Sequence, residues 1–151
     1  MESRSILRPN RGFTLIEILV VIGIFAIIFS FSLFVSFDFY RSYALRTEKN
    51  AIISILQKAR SQSLNNIDQA KHGVHFSANP LQYVIFEGNA YNPIDTNNVI
   101  VNPSYGVSVA GTPFDVQFEQ LSGASADKTI TVSDGIKSYD VTINSEGRIS
   151  W

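Results

Sequence analysis

Arg11 to Phe34 reads RGFTLIEILVVIGIFAIIFSFSLF, and this stretch decides the fold. From Leu15 to Phe37 there are 23 residues, of which Glu17 alone is charged. At about 1.5 Å of rise per residue, such a run makes roughly 35 Å of helix, enough to cross a hydrocarbon core of about 30 Å. A secretory signal would carry an apolar core of about 7–15 residues before a small-residue cleavage site. The run is too long for that, and Ser30 and Ser32 mimic such a site only weakly. It reads as a retained transmembrane helix. Arg4, Arg8 and Arg11 precede it, but Arg41, Arg46 and Lys49 follow closely, so the positive-inside rule marks its orientation weakly. The short leader favours a cytoplasmic N-terminus.

Glu17 needs an explanation. A carboxylate at the centre of a membrane helix costs about 2.5–3.5 kcal/mol on insertion scales, and less near an end. One reading is that it reaches back to the headgroups. The other supplies a cation: a cut after Gly12 would place a new amine on Phe13, four residues from Glu17. Within one chain the first helical turn holds the two near each other. Between packed chains, Glu17 of one could meet Phe13 of the next.

Gly12-Phe13-Thr14-Leu15-Ile16-Glu17, with basic residues before it and about twenty apolar ones after, closely resembles the class III signal of type IV pilins and pseudopilins. The resemblance implies cleavage between Gly12 and Phe13 by a membrane prepilin peptidase on the cytoplasmic side. It implies N-methylation of Phe13, with S-adenosylmethionine as the peptidase's methyl donor and no cofactor held by the chain itself. Glu17 takes the family role of a salt bridge to a neighbouring subunit's amine. The implied partners are the peptidase, other pilin or pseudopilin subunits, an inner-membrane assembly platform and, before assembly, the lipid bilayer. The implied location is the cytoplasmic (inner) membrane, then an extracytoplasmic fibre.

The chain has 151 residues, no cysteine and a net charge of −1. Disulfides and thiolate metal sites are therefore excluded. Charge is segregated: residues 1–12 carry +2, residues 41–71 carry +4 and residues 72–151 carry −5. Three parts with different surroundings are expected.

From Phe39 to Ile67 there is no proline or glycine. Leu45, Ile52, Leu56, Ala59 and Ser63 share one helical face, widened by Ile53, Ile55 and Leu64. Arg46, Lys49, Lys58 and Arg60 lie largely off it. After His72 the period changes to two. Val74 and Phe76 alternate with polar residues, QYVIFEG suits a central strand, and Phe114, Val116 and Phe118 share a face. Asp134-Gly135 suits a type I′ hairpin turn, with Ile130, Val132, Tyr139, Val141 and Ile143 facing inward. Gly147 turns into a last strand holding Ile149 and Trp151. Residues 87–106 read as a long surface loop, with a short strand near Val99–Val101.

The expected fold is α+β: a long N-terminal helix, transmembrane in its first half and amphipathic in its second, packed on a small antiparallel head of five or six strands. The expected division is a removed leader (1–12), a transmembrane helix (13–38), a stalk helix (39–70) and a β-rich head (71–151). A continuous helix from Phe13 to about Ile67 would be about 80 Å long. LQKARSQSLNN, HGVHFSANPLQYVIFEG and YDVTINSEGRI look similar to the H-type minor pseudopilins and their relatives among minor type IV pilins. One departure is Phe34, where many major pilins carry a proline; it favours a minor subunit.

Other chemistry is thin. His72 and His75, three apart at a strand start, face opposite sides and are expected at the surface, with no metal between them. Asp127, Asp134, Asp140 and Glu146 lie around two turns without a calcium-loop pattern. No nucleophile triad or phosphate loop stands out, so no enzyme is expected. DNA binding needs clustered cations, and Lys128, Lys137 and Arg148 stand scattered against eight acids, so nucleic acid is not the expected partner. The function read is a minor pseudopilin or minor pilin of a type IV pilus-like or type II secretion fibre. The alternatives are a DNA-uptake minor pilin and a membrane-anchored binding module that never polymerises.

Overall fold

The computed structural model describes residues 12–104 and 106–151, with the backbone alone for 32–38. The expected leader therefore lies outside the described residues except for Gly12. The chain divides into two compact units, Met1–Phe39 and Tyr40–Trp151.

The first unit holds the beginning of helix α1, which runs Leu15–Leu64. Its large apolar side chains from Leu15 to Phe31 are all exposed, from 44 % at Val21 to 83 % at Leu15. Ser30 turns its hydroxyl back to donate to Ala26 O at 2.8 Å, so the helix satisfies this polar group itself. Among the described residues no helix is long and apolar enough to cross a membrane. The apolar side chains described end at Phe31, whereas the expected span continues through 32–38. The transmembrane reading of 13–38 rests on the sequence.

In the second unit α1 supplies one wall of the core. Leu45, Ile52, Leu56, Ala59 and Ser63 are fully buried, with Ile53 and Ile55 beside them. Leu64, expected to widen this face, is instead 39 % exposed. Glu48 is an addition: it falls on the stripe's 3–4 spacing and is 1 % exposed. Its Oε2 accepts the Ser104 N–H at 2.6 Å, which ties the long loop to the helix. Burial first, and then the adjacent Glu48 carboxylate, push the Tyr83 phenol well above its usual range.

Among the described residues, Leu64 is followed by a 3-10 turn, Ile67–Gln69, and eight strands: β1 (His72–Ala78), β2 (Leu81–Glu87), β3 (Val99–Val101), β4 (Ser108–Val109), β5 (Phe114–Phe118), β6 (Lys128–Ser133), β7 (Ser138–Ile143) and β8 (Ile149–Ser150). They form two antiparallel sheets, ordered β3-β2-β1-β5 and β4-β6-β7-β8, instead of one sheet of five or six strands. Period-two alternation marks which residues face inward but says nothing of which strands pair. One apolar cluster joins the α1 stripe to Val74, Phe76, Tyr83 and Ile85 of the first sheet and to Ile130, Val132, Val141 and Ile143 of the second.

β2 reads as a continuous apolar run because both of its faces are covered. Tyr83 and Ile85 join the core, while Phe86 lies over Gly73, its cross-strand partner. A Cβ on Gly73 would sit 2.6 Å from the Phe86 ring. The long loop returns over this side through Tyr91, which stacks on His75 at 3.9 Å and meets Phe86 edge-on at 5.9 Å.

The β6–β7 connection departs from the expected two-residue turn. Ser133 pairs with Ser138, leaving four loop residues, and of these Gly135 alone has a positive φ, at 87°. Asp134 organises the loop: its Oδ1 accepts the N–H groups of Lys137 at 2.7 Å and Ile136 at 2.9 Å. These bonds hold its carboxyl below the usual range. At the chain end β8 stops at Ser150, and Trp151, expected in the strand, is 64 % exposed.

Candidate processing and assembly site

Phe13, 80 % exposed, precedes the first turn of α1. Thr14 stands at the N-cap. Its carbonyl accepts the N–H groups of Glu17 at 3.1 Å and Ile18 at 3.3 Å, and its Oγ1 accepts that of Glu17 at 3.3 Å. Glu17 reaches back, and its Oε2 accepts the Thr14 N–H at 3.3 Å. This is a reciprocal capping box, which satisfies orphan donors at the helix start. The carboxylate is also favoured there by the positive end of the helix dipole. The sequence carries the signal for this box in Thr14-x-x-Glu17.

The box has a consequence for Glu17. This carboxylate holds backbone at the mouth of the helix, at Thr14, one residue from Phe13. Gly12 is exposed, and among the described residues a Cβ there would meet nothing within 4 Å. Among the described residues, nothing packs against the Gly12 side of its junction with Phe13.

Residues 7–33 match a family described as the prokaryotic N-terminal methylation motif. The chain carries a type IV pilin-like class III signal. The match covers the junction, Glu17 and most of the apolar run. No curated protein and no solved structure matches the chain.

The remaining candidates scatter. Asp140 Oδ1 accepts the Thr131 hydroxyl at 2.7 Å, Asp134 shapes its own loop, Asp127 is exposed, and Glu146 offers its backbone oxygen to Arg60 at 3.2 Å. These acids do not converge. Of the head's cations, Lys128 lies over the Phe114 ring at 4.4 Å and Lys137 reaches Ser42 at 3.3 Å. Neither histidine is the surface residue expected. His75 Nδ1 meets Asp115 Oδ1 at 2.5 Å beneath Tyr91, and His72 is 3 % exposed. The reason is local: Ser63 accepts the His72 N–H at 2.8 Å and donates to Phe118 O at 3.0 Å, which draws the start of β1 under the end of the helix.

Proposed function

We propose that this chain is a structural subunit, a minor pseudopilin or minor pilin, of a type IV pilus-like or type II secretion fibre. The observation that carries this reading is the match to the methylation motif over residues 7–33, a stretch that holds Gly12, Phe13 and Glu17. Residues 13–38 anchor the precursor in the inner membrane with its N-terminus in the cytoplasm. A prepilin peptidase removes residues 1–12 and methylates the Phe13 amine. The chain then leaves the lipid, and its exposed apolar side chains pack against helices of neighbouring subunits on the assembly platform.

Two tasks fall to Glu17. In the precursor its carboxylate closes the capping box with Thr14. In the fibre it meets the new amine of an adjoining subunit, and this sets the axial register, because a slipped helix leaves two charges unpaired among apolar side chains. Glu17→Ala is expected to be cleaved normally and to be absent from fibres. Incorporation at the wild-type level would sink the register role. Mass spectrometry of the N-terminus in sheared fibres and in membranes tests the whole reading. N-methylated Phe13 at trace abundance in fibres is the expected result. An intact leader would leave a membrane-anchored module that does not polymerise, and abundant methylated chain in fibres would make this a main subunit.

A further inference from the structure

We propose that Asp68, His72 and Glu87 form a site for a divalent transition-metal ion, with Zn²⁺ the best fit. One ring nitrogen of His72 and one carboxylate oxygen from each acid lie within 4.8 Å of one another. Topology brings them there. His72 opens β1 and pairs directly with Glu87 at the end of β2, so both side chains rise from the same face of the sheet. Asp68 comes from the 3-10 turn between helix and sheet, with φ at 52°.

Acidic clusters are common without a metal, and two observations set this one apart. First, His72 is 97 % buried, the complement of its 3 % exposure, and its Nδ1 has no hydrogen-bond partner. Second, the three residues line a cavity of about 300 Å³ whose wall also holds Gln62, and Gln62 Oε1 is likewise buried and unpartnered. Orphaned buried polar atoms of this kind call for an unseen partner. Among the described residues the three ligands make no hydrogen bond or ion pair with one another. Around a tetrahedral zinc with bonds near 2.1 Å, ligand atoms stand about 3.4 Å apart, so a modest closure of the present spacing suffices.

The donor set selects the ion. One imidazole and two carboxylates suit zinc better than calcium, which takes six to eight oxygens. Gln62 Oε1 or a water completes four ligands. Glu87 is already oriented, because its Oε1 accepts the Asn97 side-chain N–H at 2.6 Å, an outer-shell contact of the kind metal sites use. A bound ion would clamp the end of α1, the 3-10 turn, β1 and β2 together. The site is independent of the processing reading and can fail without it.

The test uses the full chain in detergent, stripped with chelator and then dialysed against Zn²⁺ or Co²⁺ alone. One Zn²⁺ per chain is expected, with the visible absorption of four-coordinate Co²⁺. Asp68→Asn and Glu87→Gln should each weaken Zn²⁺ binding by more than about a hundredfold, and Asn97→Ala by about 10–100-fold. Asp115→Asn, beside His75, should change nothing. His72 is buried and its replacement could unfold the head, so the two carboxylate variants, checked by circular dichroism, carry the decision. Zinc binding unchanged in folded Asp68→Asn and Glu87→Gln, no zinc retained by the wild type, or a preference for Ca²⁺ over Zn²⁺ would each overturn the proposal.

Discussion

Gly147 shows how much one residue can decide. Its φ is 72°, and a Cβ there would lie 1.8 Å from the carbonyl oxygen of Gly123, itself at φ 63°. Two loops touch through two glycines beside Arg60. Neither strain nor clash can be relieved by a side-chain rotation, because both partners are backbone. Gly147→Ala should therefore lower the melting temperature strongly, by a free energy of at least about 2 kcal/mol. Gly135→Ala, at φ 87° in open space, should cost less. Equal melting of the two variants would show that the loop contact carries no strain. Glu48 illustrates the opposite limit of legibility. A charge between Leu45 and Ile52 carries no local sign of burial, and the N–H that its Oε2 accepts comes from Ser104 in a distant loop.

At the scale of elements, the α1 stripe is the best test of the packing. Leu56 is fully buried in the cluster shared by both sheets, whereas Lys58 is exposed. Leu56→Ala should cost about 2–5 kcal/mol in a denaturant titration, and Lys58→Ala within about 0.5 kcal/mol of nothing. The stripe was legible because its spacing is set by the helix alone, and Leu45, Ile52, Leu56, Ala59 and Ser63 all fall where that spacing puts them. β1, β2, β5 and the β6–β7 pair were legible for the same local reason. The partition into two sheets was not, since the pairing of β1 with β5 joins residues about forty apart. The Asp134 loop shows a subtler failure: Asp-Gly favours two residues, but the Asp134 carboxylate gathers two further N–H groups and stabilises four. Asp68, His72 and Glu87 were invisible as a group, because each comes from a different element.

The whole molecule joins two surfaces of unlike demand. From Phe13 to Phe31 the large apolar side chains are exposed among the described residues, and a patch of this size calls for lipid or other helices. From Leu45 to Ser63 the same helix is an internal wall of the head. About 80 residues of strand and loop are a marginal size to fold alone, and the α1 stripe supplies one wall of their core. A version lacking residues 40–64 should show no cooperative melting and no dispersed amide spectrum, while one starting at Tyr40 should show both. A folded head without the helix would refute the shared core.

Ser63 gives that shared core a timekeeper. A single buried hydroxyl accepts the His72 N–H and donates to Phe118 O, while the Ser63 carbonyl accepts the Leu121 N–H at 2.9 Å. Helix end, β1, β5 and the following loop are therefore knotted at one residue. For the His72 amide to meet solvent, all of these must part together, so its proton should leave only in the rarest openings of the head. Deuterium uptake at this one position then counts how often the head lets go of its helix.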